Sequence, residues 1–406
     1  MFSCLFMFSA DAVQPPETLT FEQAIEIALE QNFQVELARN TAAIAENNAH
    51  IGNADLLPHI DIVGNVRTQN LNQEDVDDTT TETSAQIQAN YTLFDGFGNV
   101  YRFRRLQGLD RLGKVEARLR IENTLYAVGQ AYYVAASAYE NLTIAKELFN
   151  ISAQRLERAR KRAAYGQANT VDVLAAQVDY NNDTVTLAQT ELYWEESQRN
   201  LNTLLNREVS LDFAIVPEVE FVELLTLENM QTTAFERNAS YQAALLDVDQ
   251  AEIDLKLARA AYLPRLDLSA SYGDDRSWYV SGTLNFNLFN GFQKNINRKN
   301  AEINLRNQEL REQEARLELE KEVLNAYRTY QYSRMVLDLE QKNPEAAETN
   351  FRRTEELYNL GQVTSTQFRE AQLNLVRAKS NIATARYTAK LNEFNLLRLS
   401  GHLISE

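Results

Sequence analysis

Alternation between apolar and polar side chains is the strongest constraint on the fold of this chain. It is clearest in Leu263–Phe292, which reads LPRLDLSASYG, then DDRS, then WYVSGTLNFNLFNGF. Apolar residues fill every second position in both arms, and mostly short uncharged polar residues fill the positions between them. A period of two predicts β-strands with one apolar and one polar face. Each arm has about ten residues, the length that a tilted strand needs to cross a bilayer.

The same unit occurs earlier in the chain. Leu56–Val66 leads to Ser84–Phe97, which brings the prediction to four amphipathic strands in two hairpins. Thr68–Thr83, rich in Thr and acidic residues, is expected to be a loop between the first two strands. Four strands cannot close a barrel, because the smallest barrels have about eight. If the hairpins lie in a membrane, several chains must share one barrel, since an open sheet edge in lipid leaves backbone groups unpaired. A soluble antiparallel sheet with one wet face is the alternative.

Composition excludes several classes of function. The 406 residues carry a formal net charge of −17, which argues against nucleic acid as a partner. One Cys and three His supply no cluster for a metal or a nucleophile, so no metal or other cofactor is expected. Without a Ser-His-Asp set or a phosphate-binding loop, the sequence does not predict an enzyme. No apolar run reaches the roughly 18 residues of a transmembrane helix.

The first 12 residues are predicted to be the remnant of a signal peptide. Leu5–Phe8 is apolar, and Ala10–Ala12 fits a small-x-small cleavage site. The segment has no basic start and its apolar core is short, so an ordinary disordered terminus is the alternative.

The rest of the chain is a tandem duplication. Residues 28–32 (ALEQN) match residues 234–238 (AFERN), and LFDGF at Leu93 matches LFNGF at Leu288. Each half is predicted to contain a helix, a β-hairpin, a long helix, a turn and a returning helix. The predicted first repeat spans 13–225 (β-hairpin 58–97, coiled-coil hairpin 98–206), and the second spans 226–406 (β-hairpin 263–292, coiled-coil hairpin 293–400).

The long helices follow from proline spacing and heptads. Because no proline lies between Pro58 and Pro217, one helix can run from Gly98 to about Tyr165. Apolar residues recur at heptad spacing along it, which predicts packing along a partner helix. In the second copy Pro344 is expected to kink or end the long helix. The remaining predictions are heptad positions Ile303, Leu310, Leu317 and Leu324, return helices over about Thr170–Asn206 and Ser365–Ser400, and a short strand-like segment at Val209–Phe221.

Two glycine turns connect the long helices to the return helices. Gly166 and Gly361 fit the left-handed position that ends a helix. The pairs Asn169–Asp172 and Thr364–Gln367 have the spacing of a capping box at the start of the return helix.

Taken together, these motifs resemble the TolC-like outer-membrane efflux protein family, the outer membrane factors. Two LPxxD strand openings, two LFxGF strand ends and the turns YGQANTVDVLAAQ and LGQVTSTQFREAQ recur in order over residues 17–401. The resemblance implies a mainly α fold with a membrane β part. Three chains would form a 12-stranded β-barrel in the lipid of the bacterial outer membrane and an α-helical barrel in the periplasm. It also implies a periplasmic adaptor protein and an inner-membrane pump or ABC exporter as partners.

The resemblance places a gate at the glycine turns. By register from Gly361, acidic rings of the family fall at Gln367, an amide here, and at Glu370, which is left to carry the charge. Asp172 and Tyr358 fall where the family links its two coiled coils by a hydrogen bond. On the residues alone, Asp172 is also explained as a helix-start carboxylate and Glu370 as a solvated surface residue.

The grooves around both turns are predicted to receive the adaptor's hairpin tip, although their apolar residues can equally pack inside the tube. The docking residues are Gly166, Thr170, Val171, Val173, Leu174, Gly361, Thr364, Ser365 and Phe368. The predicted function is a passive, gated exit duct for efflux or type I secretion. The alternative is a soluble or surface coiled-coil rod without transport, which explains the heptads but gives the four strands no purpose.

Overall fold

A computed structural model describes residues 17–73, 76–166, 169–223 and 226–403. The described helices are α1 (Phe21–Gln31), α2 (Phe33–Asn48), α3 (Gly98–Ala164), α4 (Thr170–Leu204), α5 (Leu227–Arg237), α6 (Ala239–Ala260), α7 (Gln293–Glu340), α8 (Asn343–Asn359) and α9 (Ser365–Leu399). The strands are β1 (Glu17–Leu19), β2 (His59–Gln73), β3 (Val76–Phe94), β4 (Phe213–Ile215), β5 (Arg265–Gly273) and β6 (Trp278–Asn285). Within the described ranges, no helix combines the length and the apolar character needed to cross a membrane. The predicted signal remnant lies outside these ranges.

Two compact units divide the chain. The helical unit comprises the described residues within 1–36, 121–232 and 322–406, and the sheet unit comprises those within 37–120 and 233–321. Each unit takes segments from both predicted repeats. The repeat boundaries themselves remain predictions from the sequence.

The sheet unit carries one four-stranded sheet in the order β2-β3-β5-β6, with every neighbouring pair antiparallel. The two predicted hairpins therefore form and join through β3 and β5. One row across the sheet pairs Ile62 with Ile87, Ile87 with Tyr272 and Tyr272 with Trp278. Because side chains alternate between faces, such rows gather apolar residues on one face and Gln, Asn, Ser and Thr on the other. On the polar face Ser269 Oγ lies 2.8 Å from Ser281 Oγ.

The structure corrects two strand limits. The described residues of Thr68–Thr83 form strands rather than a loop, because the β2–β3 ladder continues to the pair Gln73–Val76. Threonine is branched at Cβ and favours extended backbone, which outweighs the acidic character of the segment. The last strand was predicted to reach Leu288 but ends at Asn285. Asn285 pairs with Arg265, and the preceding Pro264 has no N–H to extend the ladder.

The helix predictions are confirmed. α3 is one helix of 67 residues, and the return helices begin at Thr170 and Ser365 as expected. α7 ends at Glu340, and Pro344 lies in the first turn of α8. Proline is tolerated there because the first N–H groups of a helix have no intrahelical acceptor.

The strand-like segment before Pro217 helps to hold the core of the helical unit. β4 pairs in parallel with β1. The buried Tyr132 hydroxyl shares its one proton between Leu19 O at 3.2 Å and Val216 O at 3.1 Å. Burial raises the pKa of Tyr132, so the phenol remains a neutral donor. A side-chain hydroxyl thereby satisfies carbonyl groups at the ends of both short strands.

Candidate gate and docking tip

Four helix ends of the helical unit meet around a cavity of about 700 Å³. They are the ends of α3 and α8 and the starts of α4 and α9. The cavity is lined by Arg158, Ala159, Lys161, Arg162, Asp172, Tyr358, Asn359, Gly361, Val363, Thr364 and Ser365. Asp172 and Tyr358 of the predicted gate lie here with Gly361, Thr364 and Ser365 of the predicted docking set.

Both turn glycines have the predicted left-handed backbone. φ is 72° at Gly166 and 75° at Gly361. The Gly166 N–H donates to Ala163 O and the Gly361 N–H to Tyr358 O, each at 3.0 Å. Each glycine therefore reverses the chain at no steric cost immediately after a long helix.

The two return helices begin differently. At α9, Gln367 N donates to Thr364 Oγ1 at 3.3 Å and Thr364 N donates to Gln367 Oε1 at 2.8 Å, which confirms the predicted capping box. At α4 Asn169 caps the helix as predicted, but the capping box with Asp172 does not form. Val171 N donates to Asn169 Oδ1, and Asp172 makes no side-chain capping bond to any described residue. The amide of Gln367 thus serves a helix start, whereas the carboxylate of Asp172 faces the cavity.

The predicted hydrogen bond between Asp172 and Tyr358 is not formed among the described residues, although both line the cavity. The Tyr358 ring instead stacks on Phe368, with 4.8 Å between ring centroids and 23° between planes. A ring held flat against another aromatic ring is positioned by that contact rather than by its hydroxyl.

Phe368 does not belong to the docking surface. Its exposed fraction is 0%, and it packs with Phe351, Ala371 and Leu375. The Arg155 guanidinium lies over the ring, 5.7 Å from its centroid. The first turn of α9 directs this residue inward because Phe368, Ala371 and Leu375 share one helix face at spacings of three and four.

The other docking residues differ in exposure. Val171 and Leu174 are exposed apolar residues on the first turns of α4. Val173 packs against the buried cluster of Leu156, Ala159 and Ala176. The exposed docking residues also include Gly166, Thr170, Gly361 and Thr364, whereas Ser365 is half-buried. The two predicted ring residues, Gln367 and Glu370, are both exposed.

Behind the cavity lies a buried ionic network that the sequence analysis does not predict. Arg155 on α3 is 2% exposed and donates from Nη1 to Asp179 Oδ2 at 2.6 Å. Its other terminal nitrogen donates to Ser365 Oγ. Arg155 therefore joins α3 to α4 and to the start of α9, with a charged donor that water does not reach.

Arg369 completes this network from α9. Its Nη1 and Nη2 donate to the two carboxylate oxygens of Asp183 at 2.8 and 2.7 Å, and its Nε lies 3.6 Å from Asp179 Oδ1. Burial alone lowers the pKa of Arg369, but the hydrogen bonds and charge of Asp183, with Asp179, outweigh burial and raise it. The ionic network, defined as Arg155, Asp179, Asp183 and Arg369, links α3, α4 and α9.

One sequence signal pointed to this network. Asp179 and Asp183 lie four residues apart on α4, whose only cation is the distant Arg199. Neither carboxylate has a basic residue three or four positions away, so a partner on the same helix is excluded. Which helix supplies the cation depends on the tertiary fold.

No group of three or more His, Cys, Asp or Glu in the described part of the chain is arranged to hold a metal ion. The site consists of charged, hydroxyl and apolar side chains at helix ends.

The comparisons with known proteins give the family. Residues 24–207 and 232–402 match the model of the outer membrane efflux protein family, and the chain belongs to that family. A similar relative is the cation efflux system protein CusC of Escherichia coli O157:H7, 22% identical over 400 residues, covering 93% of this chain and 85% of CusC. The outer membrane protein TolC of E. coli K12 is 23% identical over 363 residues, covering 79% and 70%.

A solved structure supports the same fold. The outer membrane channel CmeC of Campylobacter jejuni superimposes with a TM-score of 0.83 at 16% identity, covering 94% of this chain and 86% of CmeC. The resemblance to the family is therefore confirmed. The protein is an outer-membrane efflux channel protein with a mainly helical fold, and it is a transport protein rather than an enzyme.

Proposed function

We propose that three copies of this chain form one outer-membrane channel that serves as the passive exit duct of a tripartite efflux or type I secretion system. The observation that carries this proposal is the open four-stranded sheet. Within the described sheet, β2 and β6 each pair on one side only. In lipid an unpaired edge costs several kcal/mol for each backbone group, so neighbouring copies must supply the missing strands.

The exposed face of the sheet fits lipid. Ile62 is 81% exposed and Trp278 75%, and both lie on the apolar face. Water would penalise such a contiguous apolar surface, whereas hydrocarbon favours it. The polar face then lines a wet channel, which gives the alternation of every strand a purpose.

Exposed apolar residues at heptad spacing on α4 and α7 also need neighbouring copies of the chain to cover them. Val178, Val185 and Leu192 on α4 are 54–58% exposed. Ile303, Leu310 and Leu317 on α7 are also exposed at intervals of seven. A seven-residue apolar repeat specifies packing along another helix. We infer that helices of adjacent copies cover both stripes and build the periplasmic tube.

The periplasmic adaptor is proposed to dock at the glycine turns, and an inner-membrane pump or ABC exporter supplies the energy. The docking set is Gly166, Thr170, Val171, Val173, Leu174, Gly361, Thr364 and Ser365. Site-specific photocrosslinking from Thr170 to a co-expressed adaptor tests this surface. Thr184 on the same helix is the control, and equal yields from both positions would contradict docking at the turn.

Gating is proposed at the same end. Three exposed Glu370 carboxylates around a channel axis would attract cations, and the ionic network would hold α9 against α4. Gln367 is uncharged and instead accepts a hydrogen bond from the backbone N–H of Thr364 at the start of α9. Glu370→Gln should reduce the preference of the channel for cations in planar-bilayer recordings, with Glu356→Gln on α8 as a matched control. An unchanged reversal potential would exclude Glu370 from the pore.

Chemical crosslinking of the outer-membrane fraction, followed by gel migration with and without heating, tests the assembly. A trimeric band that runs as monomer only after heating supports the proposal. A monomer that stays in solution without detergent would favour the coiled-coil rod instead.

A further inference from the structure

The last two turns of α3 carry a concentration of positive charge. Arg158, Arg160, Lys161 and Arg162, here called the basic end of α3, occupy four of five consecutive positions. The whole chain has a formal net charge of −17. A strongly acidic protein thus presents four cations at one helix end.

The described structure neutralises these cations only weakly. Arg160 donates to the uncharged amide of Gln177. Lys161 pairs with Glu157 at 2.6 Å, but both side chains are about two-thirds exposed, and such surface pairs contribute little. Arg158 bonds Asn359 at 3.1 Å and lies 3.8 Å from Glu355. Most of the positive charge at this end therefore remains available to a partner.

Arg162 has neither a hydrogen bond nor an ion pair with any residue that the structure describes. Its side chain is half-buried and lines the cavity beside Gly361. A Cβ built on Gly361 would lie 4.0 Å from Arg162 Nη2. The guanidinium therefore occupies the space above the second turn, where a docked segment would meet it.

The cavity lining has a net positive charge. Arg158, Lys161 and Arg162 face it, and among the described lining residues Asp172 is the only carboxylate. Cations near a helix C-terminus are favoured by the helix dipole. That effect explains why basic residues occur there but not why Arg162 lines a cavity without a partner among the described residues.

We propose that this cavity binds acidic side chains at the tip of the periplasmic adaptor. The inference rests on the proposed function and specifies the chemistry of the partner. The remainder of this acidic chain repels such a tip, and the basic end of α3 attracts it. Complementary charges therefore set both the position and the orientation of docking.

The experiment compares two disulfide-closed helical-hairpin peptides that differ only in having two Glu or two Gln residues in the turn. The full-length protein in detergent should bind the Glu peptide roughly tenfold more tightly at low salt. The preference should shrink in high salt, where charges are screened. Arg162→Glu should abolish it and Arg162→Gln should reduce it. Arg353→Glu, which makes the same charge change on α8 outside the cavity, should leave it intact.

Equal binding of both peptides, or a preference that survives Arg162→Glu, would overturn the inference. So would an Arg162→Glu variant that alters only the ion selectivity of the channel, because Arg162 would then face the pore. The same preparations are recorded in planar bilayers. If the protein forms channels but binds both peptides equally, only this inference is contradicted. If it forms no channels, the proposed function itself is contradicted.

Discussion

Arg369 and Asp183 form a two-point ion pair between the return helices of the two repeats, with N–O distances of 2.8 and 2.7 Å. Asp183 is 3% exposed, so water does not solvate its carboxylate while the two helices are packed together. Removal of one partner leaves an unpaired buried charge, which is the costly case. The pair therefore favours the arrangement in which α4 and α9 are in contact.

Arg369→Met should destabilise the protein by about 3–5 kcal/mol, because Asp183 stays buried but loses its two-point partner. The double variant Asp183→Leu with Arg369→Met should recover much of this loss, since neither charge of this pair is then left buried without its partner. Urea-induced loss of helical circular dichroism in detergent measures both effects. The matched control is the exposed pair Glu348–Arg352 on α8, where Arg352→Met should change stability by less than about 1 kcal/mol. Equal losses at both arginines would contradict a special role for the buried pair.

Local patterns predicted the elements of this fold well. The period of two in Leu263–Phe292 and the proline-free stretch after Gly98 each specify an element from neighbouring residues alone. Helix starts such as Ser365 follow from short-range capping geometry. The wrong prediction for Thr68–Thr83 is also local in origin, because its acidic residues indicate a loop whereas the strand preference of Thr prevails in the structure.

The site was predicted less completely. The position of the turns follows from Gly166 and Gly361, but the burial of Phe368 depends on which face of α9 meets its neighbours. Asp179 and Asp183 lack a cation on their own helix, and sequence alone does not identify Arg155 and Arg369 as the partners. Long-range charge pairing is determined by the packing of three helices.

The duplicated LFxGF motif provides an internal comparison. Gly96 and Gly291 both have positive φ, 73° and 64°. A Cβ at Gly96 would lie 2.7 Å from Leu263 Cβ and closer still to Ala260 O, whereas at Gly291 it meets nothing within 4 Å. Both Gly→Ala variants should lose about 1–2 kcal/mol from the left-handed backbone, and Gly96→Ala about 1–3 kcal/mol more from the clash.

Urea unfolding of the two variants in detergent measures that difference. Gly64→Ala is the control, because Gly64 has ordinary backbone geometry and open space around the added methyl. If Gly96→Ala and Gly291→Ala proved equally stable, the close contact between Gly96 and the end of α6 would be refuted.

The two faces of the sheet should respond differently to charge. Ile62 lies on the exposed apolar face, and the neighbouring row places Gln88 on the polar face at similar depth. Ile62→Lys should cost about 2–4 kcal/mol, because it places a charge in hydrocarbon. Gln88→Lys should cost much less, since water reaches it. Urea titration after refolding into phospholipid vesicles measures the loss of stability for both variants. A larger loss for Gln88→Lys than for Ile62→Lys would show that the polar face, not the apolar face, meets the lipid.

Variants of Tyr358 distinguish a stacking role of its ring from a hydrogen-bonding role of its hydroxyl at the tip. Its ring stacks on Phe368 at 4.8 Å, and its hydroxyl makes no bond to Asp172 in the described structure. Tyr358→Phe should therefore leave stability and single-channel conductance unchanged. Tyr358→Ala should lose at least the about 0.5–1.5 kcal/mol of an aromatic pair, and the loosened end of α8 should open more often. An increase in conductance or opening with Tyr358→Phe would instead show that the hydroxyl holds the tip closed, because that variant removes only one oxygen atom.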